Sequence, residues 1–127
     1  MKAIIVDDDS FIRQVLRMML DELSIEVVNE SGSLGEGRSA IKDFPADVVF
    51  LDIMLPDGSG IDLIKEVKAA QPECKILMIS GSATKDKVQN SISDGANGFI
   101  VKPFNANAVV KNIANSLNID IPDDYAT

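Results

Sequence analysis

At 127 residues, 46% of them hydrophobic, the chain has enough apolar side chain for one compact domain with a sizeable core, and is short for two. Twenty acidic residues against 12 basic ones leave a net charge of -8, which opposes direct binding to nucleic acid and to anionic membrane surfaces. With no histidine and a single cysteine, Cys74, an internal disulfide, a Cys/His zinc site and a histidine-dependent triad are all excluded.

The first apolar run, Ala3 to Val6, stops abruptly at Asp7-Asp8-Asp9, as a buried parallel strand does on emerging at a sheet edge. Met1 leads straight into this strand, which is too short for a signal sequence, so none is expected. No apolar run approaches membrane-spanning length, so membrane insertion is not expected and a cytoplasmic location is. Ser10 is the expected cap of a first helix, on which Phe11, Ile12, Val15, Leu16, Met19, Leu20 and Leu23 recur on one face. Residues 25–28 read as a short β-branched strand. The second helix is the weakest element, because Gly32, Gly35 and Gly37 surround a short stripe of Ala40, Ile41 and Phe44. Residues 48–51 form a third strand that again stops at an acid, Asp52.

Leu55-Pro56-Asp57-Gly58-Ser59-Gly60 reads as a turn, followed by a helical stripe of Ile61, Ile64, Val67 and Ala70 that ends at Pro72. Residues 75–79 are the fourth strand. Thr84 caps a helix carrying Val88 and Ile92 and closed by Gly95, and residues 99–101 make a fifth strand ending at Lys102-Pro103. Asn105 caps the last helix, with Val109, Val110, Ile113 and Leu117 on its apolar face. The polar tail has no clear periodicity and is expected to fray. The reading is thus a domain over 1–118, a tail over 119–127 and no effector domain.

Five strand-helix units of this length imply an α/β fold: a five-stranded parallel sheet with helices on both faces, of the flavodoxin-like doubly wound kind, in strand order 2-1-3-4-5. In that order strands 1 and 3 are neighbours. Asp7, Asp8 and Asp52, just past their carboxyl ends, therefore converge at the topological switch point, with Ser80 and Lys102 on the same rim. Three carboxylates brought together repel one another unless a cation neutralises them. Oxygen ligands that leave room for water and phosphate suit Mg²⁺, or Mn²⁺ in its place, better than a calcium cage or a soft metal. Beside such an ion Asp52 becomes a usable nucleophile for a phosphoryl group, and Lys102 and the Ser80 hydroxyl can meet the phosphoryl oxygens. Taken singly, each residue has a plain reading as a solvated loop, a turn or a surface charge. Their joint placement, each after a separate apolar strand, favours a site.

These residues resemble the receiver domain of two-component response regulators over nearly the whole chain. The resemblance lies in Ile5-Val6-Asp7-Asp8-Asp9-Ser10, Leu51-Asp52-Ile53-Met54-Leu55-Pro56-Asp57-Gly58-Ser59-Gly60, Met78-Ile79-Ser80-Gly81 and Lys102-Pro103-Phe104. It implies Asp52 as phosphoacceptor, Asp7 and Asp8 as the acidic pair for the metal, and the Met54 main-chain carbonyl as a further ligand. Ser80 and Lys102 take the hydroxyl and lysine roles, and Lys102-Pro103 matches a cis peptide of the family. A histidine kinase or histidine phosphotransfer protein is implied as donor and another protein as downstream target, with Ser80 and Phe99 as switch residues. Phe99, an apolar strand residue, equally fits plain core packing. Serine at 80 and Gly81 depart from the more usual threonine and alanine, and 30–38 lacks the usual alanine-rich helix start.

Two other classes share features with this pattern. Asp7-Asp8-Asp9 contains the D-x-D seen in haloacid-dehalogenase phosphatases, which would make Asp7 the nucleophile, although the chain is short for that fold. A nucleotide or flavin module needs amides and small residues after strand 1, where three aspartates stand instead.

Overall fold

In a computed structural model of the chain, residues 1–82, 84–103 and 105–125 are described. The apolar runs become strands β1 (Lys2–Val6), β2 (Glu26–Ser31), β3 (Val48–Asp52), β4 (Lys75–Ser80) and β5 (Gly98–Val101). Between and after them lie helices α1 (Ser10–Glu22), α2 (Leu34–Asp43), α3 (Ile61–Ala70), α4 (Lys85–Asp94) and α5 (Ala106–Leu117). The strands pair in parallel throughout, in the order β2-β1-β3-β4-β5, as expected of the alternating pattern. β3 is buried along its whole length and Phe50 is fully enclosed at its centre, which is why its sequence reads as an unbroken apolar run.

Alternate residues of each strand feed two cores. Ile4, Val6, Val49, Leu51, Ile76 and Met78 face α2 and α3, whereas Ala3, Ile5, Val48, Phe50, Leu77 and Ile79 face α1 and α5. Burial on both faces is the main stabilising term of such a sheet, worth about 1.5–3 kcal/mol for each large apolar side chain. It also fixes the register that sets the strand ends side by side.

Several local expectations are corrected by the tertiary structure. The cap of α1 is Asp9, not Ser10: its carboxylate accepts from Phe11 N at 2.9 Å and Ile12 N at 3.4 Å. Phe11, placed by periodicity on the apolar face, is 66% exposed, because it lies at the edge of that stripe and Ile12 takes the core-facing place in the first turn. β2 runs to Ser31, beyond the expected strand, because its polar end still pairs with β1 as an outer strand. α2 starts at Leu34 behind Ser33, whose hydroxyl accepts from Glu36 N at 3.1 Å, while the Glu36 carboxylate accepts from Gly32 N at 2.8 Å. Ser33-Leu34-Gly35-Glu36 carries the Ser-x-x-Glu start signal, and the flanking glycines obscure it.

Ile92 does not face the core: it is 56% exposed, and the fully buried residue of α4 is Ser91, which donates to Lys87 O at 2.8 Å. Thr84, Gly95 and Asn105 cap as expected. The tail does not simply fray, since Asp123–Tyr125 forms a 3-10 turn and Ile119 and Tyr125 pack against the α1–α5 core, with the Tyr125 hydroxyl on Glu22. Among the described residues no helix is long and apolar enough to cross a membrane.

Candidate functional site

At the carboxyl ends of the strands the backbone hydrogen bonds continue just far enough to fix each polar side chain. Asp7 N still donates to Ser31 O at 2.9 Å, so the first aspartate remains in the sheet and is fully buried. From α1, Arg13 donates Nη1 to Asp7 O at 2.5 Å and Nε to Glu30 Oε1 at 3.2 Å, and Arg17 pairs with the same glutamate. Asp9 N donates to Asp7 Oδ1 at 2.9 Å. The three consecutive aspartates thus divide: Asp7 lies under the site, Asp8 is exposed at its rim, and Asp9 is committed to the helix cap.

Asp52 closes β3 and is 4% exposed. The chain then makes a short antiparallel ladder, Met54–Leu55 against Gly58–Ser59, and returns so closely that a Cβ on Gly60 would lie 1.9 Å from the Asp52 carbonyl oxygen. Only glycine fits there, and Gly60 N donates to Ile53 O at 2.8 Å. Met54 N donates to Asp52 Oδ1 at 3.2 Å, while the Met54 side chain is exposed.

Lys102 is set by β5, its N donating to Ser80 O at 2.8 Å, and the Lys102–Pro103 bond is cis as the resemblance implied. Its ammonium reaches both buried acids, 2.9 Å from Asp7 Oδ2 and 3.1 Å from Asp52 Oδ2. Burial lifts the Asp52 pKa above the ordinary carboxylate value and the Asp7 charge adds to this, with Lys102 only partly opposing. Burial works against the Lys102 ammonium too, but its contacts with Asp7 and Asp52 outweigh it, and its pKa rises.

The donor set fits a hard divalent cation. Carboxylate oxygens of Asp7, Asp8 and Asp52 lie within 4.8 Å of one another. Asp7 Oδ2, wholly buried, receives no well-directed hydrogen bond and has only the ionic contact with Lys102. One ammonium among three carboxylates leaves an excess of negative charge that a second cation would relieve.

The structure therefore brings Asp7, Asp8, Asp52 and Lys102 together. Ser80 is on the same rim and 1% exposed, but its hydroxyl is engaged in its own loop, donating to Ser82 O at 3.0 Å and accepting from Ser82 N at 3.1 Å. Phe99 is half-buried against the α2–α3 core and lines a cavity of about 280 Å³ with Pro103, Ala108 and Val109. Phe104, the end of the Lys102-Pro103-Phe104 match, lies outside the described residues. Composition and periodicity did not reveal Arg13, Asp57 or Gly60, whose parts depend on contacts distant in sequence.

A doubly wound sheet with an acidic switch point faced by a lysine defines the class: the chain belongs to the response regulator receiver domain family, whose model matches residues 3–114. It is 36% identical over 110 residues to the chemotaxis protein CheY of Thermotoga maritima, covering 87% of this chain and 92% of that protein. Among solved structures, a CheY-like receiver domain protein from Methanospirillum hungatei superposes with a TM-score of 0.84 at 29% identity, covering 92% of this chain and 93% of the other. The CheY of the CheX-CheY-BeF3-Mg complex from Borrelia burgdorferi has the same TM-score at 24% identity, covering 90% and 87%, and shows the shared fold. The chain is thus a CheY-like receiver domain of two-component signalling, a regulator and not a classical enzyme. This membership sets aside the phosphatase and nucleotide-module alternatives.

Proposed function

We propose that this receiver domain accepts a phosphoryl group on Asp52 from a phosphohistidine of a histidine kinase or histidine phosphotransfer protein, in the cytoplasm and without direct contact to nucleic acid. The observation that carries the reading is the Lys102 ammonium lying between the Asp7 and Asp52 carboxylates beside the exposed Asp8. Asp7, Asp8 and Asp52, with the Met54 main-chain carbonyl, would hold Mg²⁺, or Mn²⁺ in its place. When bound, the ion offsets the charge of the carboxylates and of the phosphoryl oxygens.

A carboxylate oxygen of Asp52 attacks phosphorus, the P–N bond to the donor imidazole breaks, and the imidazole leaves with a proton. Lys102, already beside Asp52, contacts a phosphoryl oxygen as charge develops there. The Ser80 hydroxyl exchanges its bonds with Ser82 for one to the phosphoryl group. Phe99 moves inward, and the face formed by α4, β5 and α5 is remodelled for a downstream protein. Attack of water on phosphorus then breaks the Asp52 O–P bond, releases inorganic phosphate and restores the carboxylate.

Intact-mass analysis with acetyl phosphate tests this. Wild type is expected to gain one phosphoryl group with Mg²⁺ and none without it, and Asp52→Asn to gain none. Labelling that persists in Asp52→Asn but disappears in Asp7→Asn would refute the assignment.

A further inference from the structure

The turn after Asp52 is tied to a different part of the molecule. Asp57, at the tip of the Met54–Leu55/Gly58–Ser59 hairpin, places its carboxylate on the start of α2: Leu34 N donates to Oδ1 at 2.7 Å and Gly35 N to Oδ2 at 3.0 Å. Ser33 and Glu36 already serve neighbouring amides, so Asp57 meets two donors that α2 leaves free. The bond is long-range, linking residues 22 and 23 positions apart. These two amides hold the Asp57 carboxyl below the ordinary carboxylate value. The contact is close on its apolar side as well, since a Cβ on Gly58 would lie 3.0 Å from Leu34 Cδ2.

The other end of the same hairpin is the site. Met54 N bonds Asp52 Oδ1, and Gly60 packs on the Asp52 carbonyl. A two-residue ladder is marginal by itself, so its placement depends on what holds its tip and its base. Gly60 fixes the base and Asp57 fixes the tip.

We infer that Asp57 is a positioning residue for the metal centre: by clamping the hairpin tip to α2 it holds Met54 and the Asp52 carboxylate in the arrangement that takes the divalent ion. The inference rests on the proposed function in requiring that Mg²⁺ binds there. The nearby Arg38–Glu66 pair, at 2.8 and 2.9 Å, also ties α2 to its surroundings; Arg38 donates its hydrogen bonds to α3 and bears on Asp57 through its charge alone, so it serves as a control for the hydrogen-bonded clamp.

The test is calorimetric titration of the full chain with Mg²⁺ for wild type, Asp57→Ala, Asp57→Asn and Arg38→Ala, with amide hydrogen exchange of the metal-free proteins. Asp57→Ala is expected to weaken Mg²⁺ binding about five-fold, the equilibrium equivalent of losing one helix-capping contact. Asp57→Asn, which retains an acceptor, is expected to lose less. Exchange at Met54 and Ser59 should quicken in Asp57→Ala without metal. Labelling by acetyl phosphate in that variant should recover at saturating Mg²⁺, because Asp57 does not touch the reacting atoms. Arg38→Ala should keep the wild-type affinity. Unchanged Mg²⁺ affinity in Asp57→Ala, or an equal loss in Arg38→Ala, would overturn the inference and leave the proposed function standing. A wild type that binds no Mg²⁺ would overturn both.

Discussion

Lys102 supplies positive charge to two carboxylates that the fold has already taken out of water. Its ammonium lies within 2.9 Å of Asp7 and 3.1 Å of Asp52, with both acids buried and the lysine itself largely so. Removing one partner of such a cluster leaves uncompensated buried charge, which costs more than the pair itself contributes. Lys102→Met is therefore expected to destabilise the metal-free protein by about 3 kcal/mol, at the low side because the site opens to solvent. Mg²⁺ should restore more stability to this variant than it adds to wild type, since there the ion no longer shares its carboxylates with a lysine. Urea unfolding with and without Mg²⁺ measures both quantities, and an equal response in the two proteins would contradict this account.

Among the elements, α4 is held differently from its neighbours. α1, α3 and α5 each bury at least three residues with large apolar side chains, whereas the fully buried residue of α4 is Ser91, with Val88 only half covered and Ile92 turned outward. Little hydrophobic burial then opposes local opening of this helix. The amides of Lys85–Asp94 are expected to exchange faster than those of α1, α3 and α5 in metal-free protein, as hydrogen-exchange mass spectrometry would show; slower exchange would contradict this. Its start at Thr84 was legible, because a threonine cap depends on the two or three residues that follow it. The outward turn of Ile92 was not, because a helical stripe does not say which neighbour covers it.

For the whole molecule, the segment after α5 closes the seam between the first and last helices. Asn118 ends α5 in the left-handed region, and the chain then lays Ile119 and Tyr125 on the α1–α5 core, with the Tyr125 hydroxyl bonded to Glu22. Both side chains are only partly covered, so truncation after Asn118 is expected to cost about 1–2 kcal/mol by urea unfolding and leave labelling of Asp52 intact. A truncated chain as stable as wild type would show that this packing contributes nothing.

The five strands, their parallel order and the gathering of Asp7, Asp8, Asp52, Ser80 and Lys102 at one rim were determined by sequence alone. The central strands β1, β3 and β4 are apolar runs buried on both faces and stopped by a polar residue, while the outer strands β2 and β5 are shorter apolar runs only partly covered, and burial of a run depends on the side chains within it. Tertiary structure decided what depends on how separate segments pack together: Arg13 of α1 on the Asp7 carbonyl, Gly60 against Asp52, and Asp57 on α2. A carboxylate or a glycine looks the same in sequence whether it faces water or another backbone, and only the packing of the helices on the sheet brings those partners within hydrogen-bond or van der Waals distance.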